Sequence, residues 1–261
     1  MSKILAIANQ KGGVGKTTTA INLAASLAAN DVSVLLIDFD PQGNATTGLG
    51  IAKGDGKSTI YDVLIGHQDI RNAIIRTEFE GLSIVPSDRN LVAANLELIE
   101  MDDRETRLKA RLDGLRAEYG FIIIDCPPAL DLLTINALVA ADSVLIPIQC
   151  EFFALEGVSQ LLDTIDRVKA SFGTSLGIEG VLLTMFDERT VLMRQVAQDL
   201  RQFFGSAVFQ TAIPRSVKLA EAPSFGKPMI SYDVRSRGAE SYIQLAKEIL
   251  GNEHRQATSA W

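Results

Sequence analysis

The chain has 261 residues, 47% of them hydrophobic, and a formal net charge of −7 at pH 7. It contains no run of about 18 apolar residues, the length of a membrane-spanning helix, and no charged-then-apolar leader. We therefore expect a compact cytoplasmic protein, neither membrane-spanning nor exported, whose two cysteines form no disulfide framework.

Apolar, strand-like runs alternate along the chain with helical stretches. This alternation is typical of βαβ units and predicts a mostly parallel, twisted sheet with helices on both faces. The predicted strands are residues 3–8, 33–38, 82–86, 121–125, 143–148, 178–184 and a short one near Val208. The predicted helices are residues 18–29, 102–118, 132–140, 155–170, 191–204 and 239–250. Residues 52–57 are expected to form a solvated loop. No linker divides the chain, so we expect a single α/β domain over residues 1–261, with a disordered tail from about residue 251.

A glycine-rich segment joins the first predicted strand to the first predicted helix. Its sequence is Lys11-Gly12-Gly13-Val14-Gly15-Lys16-Thr17-Thr18. Glycines let successive backbone N–H groups cradle phosphates, and the positive N-terminal end of the following helix faces the same anion. In this pattern Lys16 reaches the β- and γ-phosphates, and the Thr17 hydroxyl binds Mg²⁺. We therefore expect residues 11–18 to bind a nucleotide, rather than to form a plain turn.

Acidic residues follow two further predicted strands, at the edge where α/β sheets place their ligands. One strand ends in Asp38, with Asp40 just beyond it in the segment Asp40-Pro41-Gln42-Gly43-Asn44. The other is a hydrophobic run ending in Asp125, the form of the second acidic strand of phosphate-loop ATPases, where the acid holds Mg²⁺ through water. A single acid after a strand is usually a turn residue. Carboxylates close to a phosphate loop, however, require a cation or a proton.

The spacing Lys-Gly-Gly-x-Gly-Lys-Thr at residues 11–17 resembles the deviant phosphate loop of the ParA/MinD group of ATPases. Three later segments look like the chromosomal ParA (Soj) branch of that group. They are Gln149-Cys150-Glu151-Phe152-Phe153-Ala154-Leu155-Glu156-Gly157, Leu183-Thr184-Met185-Phe186-Asp187 and residues 213–228, in which Ser216 departs from the asparagine often found there. The resemblance covers about residues 3–250. It implies a P-loop NTPase-like fold and a homodimer that forms on ATP, in which Lys11 reaches the partner's nucleotide.

The same resemblance implies roles for individual residues. Asp40 would position and polarise the attacking water, and Asp38 would support the Mg²⁺ shell. Met185 and Pro214 would enclose adenine, which implies ATP rather than GTP. Turnover should be slow, and a monomer should be nearly inactive because one lysine comes from the other subunit. The expected catalytic set is Lys11, Lys16 and Asp40.

The charge is unevenly distributed along the chain. Residues 1–180 carry 15 basic and 24 acidic side chains, a net of −9, whereas residues 181–261 carry 10 basic and 8 acidic ones, a net of +2. Such a basic excess is more often a solvated face than a nucleic-acid site. The resemblance nevertheless implies sequence-independent binding of double-stranded DNA by the ATP dimer, through Arg189, Arg215 and Lys218. It also implies a ParB-like, centromere-bound partner that stimulates hydrolysis, and association with the nucleoid.

Two other functions remain open at this stage. A MinD-like membrane switch that positions the division site would share the phosphate loop, but it needs a basic amphipathic tail, and residues 251–261 offer only the terminal Trp261 as a bulky apolar group. An iron protein like that of nitrogenase would hold an iron–sulfur cluster between two subunits with cysteines such as Cys126 and Cys150. Against the cluster, Cys126 directly follows Asp125, an acid expected at the nucleotide.

Overall fold

The computed structural model describes residues 2–54 and 57–258. Within these residues eight strands form one sheet in the order β3-β4-β2-β5-β1-β6-β7-β8, parallel throughout except for the antiparallel pair β3 and β4. The strands are β1 (Lys3–Ile7), β2 (Val34–Asp38), β3 (Ile75–Arg76), β4 (Leu82–Val85), β5 (Phe121–Asp125), β6 (Ser143–Gln149), β7 (Gly177–Phe186) and β8 (Val208–Pro214).

Helices cover both faces of the sheet. They are α1 (Lys16–Ala28), α2 (Asn44–Gly48), α3 (Ile60–Ile65), α4 (Ile70–Ala73), α5 (Leu91–Glu97), α6 (Arg107–Leu112), α7 (Leu132–Ala140), α8 (Ala154–Phe172), α9 (Val191–Phe204), α10 (Val217–Glu221), α11 (Met229–Tyr232) and α12 (Arg237–Thr258). A short 3₁₀ turn, Leu98–Glu100, continues α5. None of the helices in the described part of the chain is long and apolar enough to cross a membrane.

The core lies in two layers, one on each face of the sheet. Strands β2 and β5 are buried along their whole length, which explains their unbroken apolar runs of valine, leucine and isoleucine. On one face α1 and α12 pack together, and on the other α7 and α8 contribute to the larger apolar cluster. This packing fixes the strand ends that carry the acidic residues.

Strand register brings the predicted acids together. Asp38 at the end of β2 pairs directly with Asp125 at the end of β5, and Asp125 also pairs with Ile7 at the end of β1. The loop of residues 8–15 begins beside Ile7 and leads into α1. The phosphate-loop segment and both acids therefore lie at one edge of the sheet, as a parallel arrangement requires.

The predicted single α/β domain with a mostly parallel sheet is confirmed, and each predicted strand is present.

Other expectations need correction. The predicted helix over residues 102–118 is interrupted: α6 spans only Arg107–Leu112, followed by a 3₁₀ turn at Asp113–Leu115. The short elements α2, α3, α4, α5 and β3 were not predicted. Helix α12 continues to Thr258, so residues 251–258 are helical rather than the disordered tail expected. Residues 259–261, with Trp261, and residues 55–56 of the predicted solvated loop lie outside the described residues.

Candidate nucleotide and hydrolysis site

Glycine conformations and hydrogen bonds to neighbouring strands fix the shape of the loop between β1 and α1. Gly13 and Gly15 have φ values of 75° and 90°, a left-handed conformation that favours glycine. The Thr184 hydroxyl donates to the Val14 carbonyl at 2.8 Å, tying the loop to β7. Asn9 accepts from the Lys11 N–H at 3.0 Å and donates to the Pro147 carbonyl at 2.7 Å, tying it to β6. Helix α1 has no acidic residue in its first turn, so its positive end faces the loop uncompensated.

Lys16 is buried, although it carries a charged side chain. Its ammonium group donates to the Lys11 carbonyl at 3.1 Å, across the curve of the loop. Burial lowers the pKa of Lys16, while the nearby carboxylates of Asp125 and Asp40 act in the opposite direction. A cation held in this position can neutralise phosphate charge inside the loop. The structure thus brings Lys16, Asp125 and Asp40 into electrostatic contact with one another.

Asp125 has no adequate hydrogen-bond partner within residues 2–54 and 57–258. Its carboxylate is completely buried, and neither oxygen accepts a hydrogen bond of normal geometry. Burial raises its pKa well above the usual value, and the charge of Asp38 raises it further, while Thr17 lowers it. An unpaired buried carboxylate is costly unless a cation or proton occupies the site. Oxygen donors from Asp125 and Thr17 match the preference of Mg²⁺, so these residues fit the predicted metal.

Asp38 is equally buried, but its carboxylate accepts hydrogen bonds from other residues of the protein. Its Oδ2 accepts from the Thr46 N–H at 2.7 Å and from the Thr46 hydroxyl at 2.6 Å. The Thr46 hydroxyl in turn accepts from the Ser87 N–H at 2.9 Å, just beyond β4. Burial raises the pKa of Asp38 to about 6, although the bonds from Thr46 lower it. Asp38 therefore anchors α2 and the segment after β4, and its support of the Mg²⁺ shell stays a prediction.

Asp40 lies at the start of the loop between β2 and α2. It is buried, and its Oδ1 accepts from the Gln42 N–H at 2.8 Å. Gly43, with φ 57°, closes this turn by donating to the Asp40 carbonyl at 2.8 Å. Lys53 donates to the Gln42 carbonyl from the outer side. The turn holds the Asp40 carboxylate within electrostatic range of Lys16 and Asp125.

Lys11 differs from Lys16 in pointing away from the loop. It is exposed and forms an ion pair with Glu151, two residues beyond the end of β6. The next two residues, Phe152 and Phe153, are 76% and 67% exposed, with their rings packed edge to face at 5.1 Å. A surface with a half-exposed cation beside two uncovered aromatic rings is typical of a contact face.

A cleft of about 990 Å³ opens beside the phosphate loop, between the ends of β7 and β8. Gly13, Gly15 and Thr18 line one side, and Met185 and Pro214 line the other. Met185 has φ 49°, which is unusual for a residue with a side chain and marks a position held by its surroundings. The cleft is large enough for a nucleoside, and the structure thus brings the two predicted adenine residues to the predicted phosphate loop.

The three predicted DNA contacts lie around the outer rim of this cleft. Arg189 and Arg215 line the rim itself, and Lys218 is in the following helix α10. Arg189 pairs with Asp187 at 2.7 Å, and Lys218 pairs with Asp233 at 2.5 Å. Arg215 is exposed and has no ion pair within the described residues. The three cations thus share one region, but two of them are neutralised by neighbouring carboxylates.

The two cysteines are buried thiols. Burial raises the pKa of Cys126, and it raises the pKa of Cys150 to about 11. In residues 2–54 and 57–258 no group of three or more metal-ligating side chains is found. Neither thiol is presented at the surface, where a cluster shared between two subunits would need it.

Three functional contacts were missed in the sequence. No role was predicted for three residues that contact the site. Thr46 bonds to Asp38, Glu151 pairs with Lys11, and Thr184 bonds to the phosphate loop. The sequence gives little indication of the roles of Glu151 and Thr184, since they contact residues 140 and 170 positions away. Only the proximity of Thr46 to the Asp38–Asp40 segment could have suggested its role.

Comparison with known proteins gives matches over nearly the whole chain. Residues 2–178 match the family described as AAA domain. The chain is 55% identical to the sporulation initiation inhibitor protein Soj of Bacillus subtilis, over 97% of this chain and 100% of that protein. It is 51% identical to the chromosome partitioning protein ParA of Caulobacter vibrioides, over 99% of this chain and 98% of that protein.

Solved structures share the same fold. Cobyrinic acid a,c-diamide synthase from Mycobacterium smegmatis, with bound ADP and magnesium, matches with a TM-score of 0.84 and 36% identity, over 96% of this chain and 94% of that chain. The cell division ATPase MinD of Pyrococcus furiosus matches with a TM-score of 0.80 and 27% identity, over 96% of this chain and 99% of that chain.

Proposed function

The chain belongs to the family of Soj and ParA chromosome-partitioning ATPases, and from this premise we propose that it is an ATP-driven DNA-partitioning switch. In this proposal two subunits enclose two ATP molecules, the dimer binds DNA without sequence preference, and hydrolysis releases it. One observation carries the ATPase part. A fully buried carboxylate, Asp125, lacks adequate partners beside a glycine-rich loop that holds Lys16 and Asp40 close by.

Binding and hydrolysis follow from the chemistry of these residues. Backbone N–H groups of residues 12–18 and the Lys16 ammonium would bind the phosphates, while the cleft beside Met185 and Pro214 takes the adenosine. Thr17 and Asp125 would hold Mg²⁺, which when bound neutralises charge on the phosphates. Asp40 would accept a hydrogen bond from the attacking water and align it with the γ-phosphate. Positioning and charge neutralisation are the main requirements of phosphoryl transfer.

Dimerisation is supported by the exposed face around Lys11. The Lys16 ammonium group donates a hydrogen bond within its own loop, whereas Lys11 is exposed and can therefore contact a second subunit. Phe152 and Phe153 beside it offer apolar area that a second copy would cover. Reaching the partner's nucleotide requires Lys11 to leave Glu151. Because one catalytic cation comes from the other subunit, we expect little activity from the monomer.

DNA binding is supported by the basic rim around the nucleotide cleft. Arg189, Arg215 and Lys218 lie on one region of each subunit, next to the site that ATP occupies. A weak set of phosphate contacts would double when two subunits join, so ATP would control the affinity for DNA. A ParB-like, centromere-bound partner would then stimulate the slow intrinsic hydrolysis and return the protein to its monomeric form. Such a cycle would keep the ATP form on the nucleoid.

The test is binding to random-sequence duplex DNA with ATP, with ADP and without nucleotide, at fixed Mg²⁺ and salt. We expect binding with ATP alone, made more persistent by Asp40→Ala because hydrolysis no longer ends it. Arg215→Ala should weaken binding and reduce the slope of log affinity against log salt by about 2, one contact per subunit. Lys109→Ala removes the same charge from α6, an element of the opposite face, and serves as the matched control.

Two outcomes would reject the DNA switch. Binding that is independent of nucleotide, or absent throughout, would contradict the proposal. In that case flotation with anionic lipid vesicles and ATP tests the alternative function, a MinD-like membrane switch. A loss of binding in Lys109→Ala equal to that in Arg215→Ala would indicate a general charge effect rather than a contact.

A further inference from the structure

An uncovered apolar stripe lies on helix α5 and the turn that continues it. Val92, Leu96 and Ile99 are 58%, 73% and 56% exposed. Their spacing of four and three residues places them on one side of the helix, opposite the buried side that faces the core. We call these three residues the α5 stripe. Large aliphatic side chains aligned and exposed in this way are typical of a surface that binds another chain.

The charges around the α5 stripe are mainly acidic. Glu97 and Glu100 lie on the same element, and Asp102 and Asp103 follow directly, all of them exposed. Glu97 is held in place by the Tyr61 hydroxyl, which donates to its carboxylate at 3.0 Å. A second copy of this chain would bring the same acidic border against itself in a two-fold contact, which is unfavourable. Charge complementarity therefore selects a basic partner.

Helix α5 and the segment that precedes it are hydrogen-bonded to residues near Asp38 and Asp125. The Ser87 N–H, in the segment between β4 and α5, donates to the Thr46 hydroxyl, which donates to Asp38. On the other side, the Asn95 side chain donates to the Asp131 carboxylate at 2.8 Å. Asp131 caps α7 and lies in the segment that follows Asp125. A displacement of α5 would thus act on Asp131 through Asn95, and on Asp38 through Ser87 and Thr46.

We infer that the α5 stripe is the docking surface for the protein that stimulates hydrolysis, and that it binds a helical segment with aliphatic residues on one face and lysine or arginine beside them. The inference rests on the proposed function, because it names the surface on which the stimulating partner acts. A helix matches the stripe because its own i, i+4, i+7 side chains repeat at the same distances. The contacts of Ser87 and Asn95 then carry the effect to the hydrolysis site.

The test measures ATP hydrolysis with saturating DNA against increasing concentrations of the purified ParB-like partner. We expect Leu96→Ser to raise the half-saturating partner concentration at least ten-fold, because it removes apolar area from the centre of the surface. Glu100→Lys should act in the same direction, and Glu100→Gln less strongly. Leu192→Ser, an exposed leucine on α9, is the matched control and should resemble the wild type.

A further variant separates docking from its effect on the site. Asn95→Ala should leave the half-saturating concentration unchanged and lower the maximal stimulation, because it cuts the contact to Asp131 without touching the stripe. Partner stimulation of Leu96→Ser and Glu100→Lys equal to that of the wild type would overturn the inference and leave the proposed function intact. Loss of ATP-dependent DNA binding in Leu96→Ser would assign the surface to the second copy instead, which also overturns it. A wild type that binds DNA but is not stimulated by the partner would reject the stimulatory step of the proposed function itself, and this inference with it.

Discussion

Replacing Thr46 with valine keeps the shape of the side chain and removes its hydroxyl group. That hydroxyl donates to Asp38 Oδ2 at 2.6 Å and accepts from the Ser87 N–H at 2.9 Å. Thr46, Asp38 and Ser87 are all buried, so water cannot replace either bond. The substitution therefore leaves a donor without an acceptor and weakens the solvation of a buried carboxylate.

The expected loss of unfolding free energy follows from these two contacts. A hydrogen bond to a charged group contributes about 1.5–3 kcal/mol, and an unpaired buried donor costs about 1–3 kcal/mol. Asp38 keeps its bond from the Thr46 N–H at 2.7 Å, so the total should lie below the sum of the two ranges. We expect a loss of about 2–4 kcal/mol, with slower ATP hydrolysis because Asp38 then fixes the loop of Asp40 less firmly.

Urea unfolding followed by far-ultraviolet circular dichroism, without nucleotide and with EDTA at pH 7.5, measures this loss. Thr47→Val is the matched control, since Thr47 is the exposed neighbour on the same helix and its hydroxyl makes only long bonds of 3.3 and 3.4 Å to backbone carbonyls. Thr46→Ser should retain most of the stability. If Thr46→Val loses no more stability than Thr47→Val, the buried bridge from Asp38 to Ser87 does not stabilise the fold.

The same variant should show a particular pH dependence. The folded-state pKa of Asp38 is raised to about 6, above its unfolded value, so ionising this carboxylate removes stability as pH rises from about 4 through 6. The Thr46 hydroxyl lowers that pKa, and its loss must raise it further. The deficit of Thr46→Val should therefore be smaller at pH 5, where Asp38 is largely protonated, than at pH 7.5. An equal deficit at both pH values would contradict this account of the ionised carboxylate.

Three further predictions follow from the site. Glu151→Gln frees Lys11 from a surface ion pair of about 0–1 kcal/mol, so the ATP dimer should dissociate up to about five-fold less readily in analytical ultracentrifugation; a weaker dimer would contradict the reasoning. Asp125→Asn removes an unpaired buried charge, so the melting temperature without nucleotide should rise by about 2–4 °C, while the stabilisation by Mg²⁺ and ATP is lost. Cys126 and Cys150 should react with a thiol reagent at pH 8 only as fast as the protein unfolds in matched urea.

The parts of the fold set by local patterns were predictable. Buried parallel strands such as β2 and β5 carry unbroken apolar runs, and the phosphate loop has a fixed glycine spacing. The short helices α2 and α5 were not predicted, because five to seven residues contain too few turns for a helical period. The length of α12 was also missed, because Gly251 and polar residues at its end carry no apolar pattern.

Within the site, residue types were predictable but their partners were not. The sequence places Asp38 and Asp125 at strand ends, yet only the register of β2 against β5 puts them side by side. The ion pair of Lys11 with Glu151 joins residues 140 positions apart, and that of Lys218 with Asp233 depends on the fold of the segment between them. Contacts of this kind are set by tertiary packing, which a single sequence does not display.

Partners and burial distinguish residues that the sequence treats alike. Asp38 and Asp125 are both buried carboxylates at strand ends, but Asp38 is satisfied by Thr46 while Asp125 has no adequate hydrogen bond. A satisfied buried acid holds structure together, and an unsatisfied one costs stability that only a bound cation or proton can recover. The two lysines of the loop also differ in burial and in partner. Lys16 is buried and hydrogen-bonded within its own loop, whereas Lys11 is exposed and paired with Glu151. In the part of the chain that the structure describes, Asp125 is a buried carboxylate without an adequate hydrogen bond, and Lys11 is an exposed cation paired with Glu151. Both properties are expected of the switch proposed above, which ATP and a second copy would complete.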